Sequence, residues 1–178
     1  MDRDVAGPVV IASDAKGCVV TRQGMVVVIR RAPVDARHVA DLHRALESAQ
    51  GPGSGRVVML TAYRLSPDFP IEVENTTSGP EYVPTLREMD RAVAAYAMVV
   101  ELGGVRAASL RAIARLVWAL ARPRAALGIF DRLTDAVSWL APRGREIGAP
   151  GDSREYVQLY RIADQILESI DGGARARG

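Results

Sequence analysis

The stretch GGVRAAS (Gly103–Ser109) follows an apolar run, Ala97 to Leu102, and opens a long helical segment. A helix that begins after a strand points free backbone N–H groups and the positive end of its dipole outward, a setting that suits an anion. Gly103 and Gly104 would let a ligand approach the backbone, and Arg106 would add charge-assisted hydrogen bonds. The spacing lacks the third glycine of a dinucleotide fingerprint and the Gly-Lys-Ser/Thr end of a phosphate loop. Backbone geometry alone also explains two glycines at such a turn. A small-anion or nucleotide sensor at Gly103, Gly104 and Arg106 is therefore an alternative expectation, behind a binding role for the helix itself.

Other reactive side chains are sparse. Glu101 ends the apolar strand beside the glycine turn, where burial would raise its pKa or Arg106 would pair with it. It is the one centre on which an enzyme of unknown reaction could be built. His38 and His43 are five residues apart, about 140° round a helix, so they do not share a face as a metal pair would. No nucleophile-elbow motif accompanies them. Cys18 is the single cysteine. It precedes Val19 and Val20 in a strand-like run, which reads as a small core residue in a chain with no disulfide framework. No catalytic residue, cofactor or metal is assigned from these patterns.

The helix after the glycines is more informative. Leu110, Ile113, Val117 and Leu120 fall within an arc of about 80° at 100° per residue and predict the core face. Arg111, Arg115 and Arg122 fall on the other side, and Trp118 falls with them. Tryptophan and arginine are enriched at binding hot spots. These four residues are the expected partner-binding surface, with a second copy or another protein as the partner.

These residues need a scaffold. The chain has 178 residues, 48% hydrophobic and 25% charged, with a net charge of +2. That is enough for one globular domain with a core, and too little charge to argue for nucleic acid. No apolar run is long enough to span a membrane, and Met1-Asp2-Arg3-Asp4 does not read as a secretory leader. A cytoplasmic protein is expected. Strands are predicted at Pro8–Ser13, Cys18–Thr21, Met25–Ile29, Val57–Leu60, Met98–Leu102 and Ala125–Phe130. Asp35 reads as the N-cap of a helix carrying Val39, Leu42, Ala45, Leu46 and Ala49. A helix from Pro84 would align Leu86, Met89, Val93 and Tyr96. Another runs from Arg106 to Pro123, and a third has Leu133, Ala136, Val137 and Leu140 facing inward. Arg64 to Val83 holds three prolines and four acids and reads as a long loop. Residues 142–151 read as a linker, 152–171 as a C-terminal helix and 172–178 as a fraying tail.

Alternation of this kind predicts an α/β fold, a mixed sheet of four to six strands with helices packed on it and an appended C-terminal helix. From about residue 8 to 141 the layout resembles a STAS domain, the fold of sulfate-transporter tails and anti-sigma-factor antagonists (SpoIIAA-like proteins). The closing LGIFD and TDAVSWL carry the resemblance together with the element order. The resemblance implies a STAS-like domain over 1–141 and a regulatory role through protein contact. Regulatory members carry a phosphorylatable residue in an Asp-Ser-Ser/Thr-Gly turn after the central strand. Here VVML runs into TAYRLSPDF without that turn, which leaves Ser66 and Ser78 as the nearest candidates for phosphorylation. The expectation is a non-catalytic, self-associating regulatory or scaffolding module.

Overall fold

The computed structural model describes residues 7–32, 35–50, 55–64, 89–101, 104–121, 124–149 and 152–175. It is an α/β fold with one six-stranded mixed sheet. The strands are β1 (Val9–Asp14), β2 (Gly17–Arg22), β3 (Met25–Arg30), β4 (Val57–Tyr63), β5 (Val93–Val100) and β6 (Ala126–Phe130). The helices are α1 (Ala36–Ala49), α2 (Gly104–Ala121), α3 (Leu133–Glu146) and α4 (Ser153–Arg175). Strands lie in chain order, β1 to β6. The first three pair antiparallel, and β3 to β6 are parallel.

Local chemistry explains the starts and stops. Asp14 closes the β1–β2 turn by accepting from the backbone N–H of Lys16 at 2.8 Å and of Gly17 at 3.2 Å. This is the short-range role for which turns select aspartate. Gly17 has to be glycine, because a Cβ there would stand 2.4 Å from the backbone oxygen of Ile29. Gly24 sits at φ +76° in the next turn. Asp35 caps α1 as its sequence predicts, accepting from the N–H of His38 at 2.8 Å.

The sheet separates two cores. Parallel crossovers are right-handed, and each one here moves to the next strand in the same direction, so their helices share a face. On that face Leu42, Ala45 and Leu46 of α1 and Ala107 and Leu110 of α2 pack with Val26, Val28, Met59 and Tyr96. On the other, Val137 and Leu140 of α3 and Tyr156, Leu159 and Leu167 of α4 pack on Val20, Val27, Leu60 and Val99. Cys18 lies in this second core. Burial, and then the charge of Asp14, push its thiol up to about 11.

Three boundaries differ from the expectation. Val93 and Tyr96 belong to β5 and not to a helix; residues 89–92 are helical directly ahead of it. β5 is buried on both faces, so its run carries no polar alternation to mark it as a strand. α3 continues through Pro142 to Glu146, into the expected linker, because Ala141 and Gly144 are buried in contact with the fold. α4 runs on through Gly172 and Gly173 to Arg175. This appended C-terminal helix lies against β1, β2 and β3. Among the described residues no helix is long and apolar enough to cross a membrane.

Replacing Gly17 with alanine should destabilise the fold by about 2 kcal/mol or more, because the new Cβ meets backbone and not a movable side chain. Urea unfolding of Gly17→Ala beside the wild type reads this directly.

Candidate functional site

Ligand sites in α/β sheets lie at the carboxyl ends of the parallel strands. Two residues stand there on adjacent strands. Arg64 follows β4 and Glu101 follows β5. The ladder continues through both, with Arg64 N–H donating to the Arg30 carbonyl at 2.8 Å and Glu101 N–H to the Tyr63 carbonyl at 3.1 Å. Both side chains therefore point to the same face, toward α4.

They form a closed polar cluster. Arg64 Nε donates to Glu101 Oε2 at 2.6 Å. Arg64 Nη2 donates to the Tyr160 hydroxyl at 2.6 Å, and that hydroxyl donates to Glu101 Oε1 at 2.6 Å. Arg64 also pairs with Asp164, and its guanidinium carbon stands 5.3 Å from the centre of the Tyr160 ring. Burial works against the Arg64 charge, but hydrogen bonds to Asp164 and Glu101 outweigh it and hold the guanidinium ionised. Burial, followed by the hydrogen bond to Glu101, pushes the Tyr160 hydroxyl up. Both carboxylate oxygens of Glu101 are thus occupied by protein donors. Its cation among the described residues is Arg64; the Arg106 side chain, the neighbour expected from the sequence, lies outside the described residues. The cluster is a clamp. It fixes α4 to two strand ends, and two further ion pairs help: Arg31 with Asp171 at 2.8 Å and Arg22 with Glu155 at 3.5 Å.

The glycine turn is only partly described. Gly104 is exposed at φ +72° with nothing within 4 Å of a Cβ position. That backbone conformation itself calls for glycine. Gly103 lies outside the described residues, as do Ser66, Ser78, Arg122 and residues 65–83 of the long loop.

On the arginine helix Leu110 is buried as expected, while the side chains of Ile113, Val117 and Leu120 lie outside the described residues. Ala107 and Leu110 are buried, and Ala114 and Trp118 pack against the same core. The Trp118 ring lies 5.6 Å from that of Tyr96, tilted by 35°. Trp118 is therefore half-buried against its own sheet, on the same side of the helix as the half-buried Arg111. The chain offers two overlapping apolar stripes that share Leu110, and helical spacing alone cannot choose between them. Arg111 pairs with Asp131, just past β6, while Arg115 is exposed. Among the described residues, the outward face carries Val105, Ala108, Ala112 and Ala119 together with Ser109 and Arg115. Val105 is 84% exposed. Trp139 lies at the edge of the second core, with its ring 5.6 Å from that of Phe130 and its centre 3.9 Å from the Arg143 guanidinium carbon.

A third polar group lies on the α1 face. His38 is 5% exposed and shares a small cleft with Arg30, Asp14, Lys16, Asp35 and Asp41. Burial, and then the Arg30 charge, lower its pKa to about 3, against smaller opposing effects of Asp35 and Asp14. The folded state thus favours neutral imidazole.

Three outcomes follow from these geometries. Arg64→Met should cost about 1–3 kcal/mol, because Glu101 and Asp164 are left without their cation. Tyr160→Phe should cost about 1 kcal/mol, and urea unfolding measures both. The His38 effect depends on pH. Between pH 6.5 and 3 the unfolded chain binds the proton and the folded chain does not, so stability is full above pH 6.5 and falls as pH drops. The slope reaches up to about 1.4 kcal/mol per pH unit. His38→Gln should flatten the fall in urea midpoint between pH 7 and pH 5.

No family model, curated protein or solved structure matches this chain.

Proposed function

We propose that the chain is a non-catalytic regulatory or scaffolding module of the cytoplasm that acts by protein contact. One observation carries this reading. The polar groups at the carboxyl ends of β4 and β5 are satisfied by one another and by α4, while the outward face of α2, mostly valine and alanine around Ser109 and Arg115, is uncovered among the described residues. Nor does the sheet offer a switch point: β3 to β6 run in order with α1 and α2 on one face, so adjacent connections do not part to open a crevice. Small residues such as Ala108, Ala112 and Ala119 let a partner helix approach closely, and an apolar helix face is normally covered.

The STAS resemblance supports the same role. Its regulatory members act on other proteins through the region after the central strand. In this chain that position is held by Arg64, tied to Glu101 and Asp164. The role therefore falls to α2, with Arg115 on its outward face and Arg111 at the border of that face, and Trp118 supports that helix from beneath. The first partner to test is a second copy.

Light scattering across a concentration series tests this. The wild type should reach twice the 19.1 kDa chain mass, and Ala112→Arg should return it to the monomer with unchanged circular dichroism. A monomer at all concentrations in both samples would exclude self-association through α2.

A further inference from the structure

The two edges of the sheet are not alike. β1 is guarded: its pairing with β2 shifts register between Val10 and Ala12, and an edge bulge of this kind discourages further strands. β6 carries no such device. Its pairing with β5 runs from Ala95↔Ala126 to Val99↔Phe130 without a shift. No proline and no charge interrupts Ala125–Phe130. Alternate residues of an edge strand aim both backbone groups away from the neighbouring strand. Among the described residues nothing pairs with that side of β6. Ala126 is exposed, and Leu127, Ile129 and Phe130 are half-buried.

Charge selects the occupant. Arg124 and Arg132 bracket the strand, and both are exposed. The acids nearby are engaged: Asp131 pairs with Arg111, Asp90 accepts from the Arg124 backbone N–H, and Asp135 lies in the first turn of α3, where it offsets the helix dipole. A second copy suits this edge poorly. In a two-fold antiparallel pair, residues facing each other must lie on the same face of the sheet, so the axis has to pass through a residue. The register that overlaps the whole strand centres on Gly128. It sets Arg124 against Arg132 of the second copy at both ends, and like charges opposed across strands are destabilising.

We infer that β6 takes an extended acidic peptide segment of a partner protein as a seventh strand, with acids at both ends meeting Arg124 and Arg132 and the partner's backbone completing the ladder. This is the strand-addition mode of peptide recognition, in which main-chain hydrogen bonds supply affinity and side chains supply selectivity. It deepens the protein-contact reading and rests on it, but it uses a different surface from the outward face of α2.

The test is fluorescence anisotropy with a labelled nine-residue peptide of alternating valine and threonine, carrying two glutamates at each end. The full chain should bind it saturably. The same peptide N-methylated at alternate central residues should bind at least about tenfold more weakly, because it cannot complete the ladder. Arg124→Glu with Arg132→Glu should weaken binding about tenfold with unchanged circular dichroism, since both side chains are exposed. No saturation up to millimolar peptide, or equal binding of the N-methylated peptide, would overturn the proposal. A mass doubling that excess peptide reverses, and that Ala112→Arg leaves intact, would assign the edge to a second copy and would also overturn it. Loss of the dimer through Ala112→Arg with peptide binding retained would separate the α2 contact from this one.

Discussion

Crossovers that all fall on one side of a sheet leave its other side without cover. In this molecule α1 and α2 share a face, so the second core must come from chain that follows β6. Helices α3 and α4 supply it. The rest of the architecture answers to that requirement. α4 needs its long apolar stripe, with Tyr156, Leu159, Ala163 and Leu167 buried, because it crosses three antiparallel strands. It also needs anchors, and it finds them at strand ends. Arg22, Arg31 and Arg64 follow or end β2, β3 and β4, and each meets an acid on α4. The polar cluster around Arg64 is thus a product of topology. It stands at the carboxyl ends of parallel strands, and its hydrogen bonds tie α4 to them.

Much of this layout could be read from the chain. The opening strands, the Asp35 cap, the β3–α1–β4 crossover and the inward set of α1 follow from turn residues and periodicity. These are local signals, and local physics sets them. β5 was harder, because a strand buried on both faces has no alternation, and its alanines resemble a helix. α2 was misleading for a different reason. Two apolar stripes compete on it, and only packing on Tyr96 decides that Trp118 turns inward.

The site was legible only in part. Glu101 stood out as a carboxylate closing an apolar strand. Its partners did not. Arg64 lies 37 residues away and Asp164 is 100 residues from Arg64. No spacing rule links residues that meet through sheet register and helix docking. An arginine directly after a predicted strand, and an aspartate four residues after a tyrosine on an amphipathic helix, are common patterns that gain meaning only together.

The clamp has a consequence for how the chain reaches its fold. Arg31 must wait for Asp171, 140 residues later, before the face of β1 to β3 can close. A meander of three apolar strands is synthesised early and stays uncovered until nearly the whole described chain has left the ribosome. Contacts of such long range slow folding and extend the time during which strand edges are open to wrong partners. The valine-rich β2 and β3 are therefore the segments that wait longest for their cover on the α4 face.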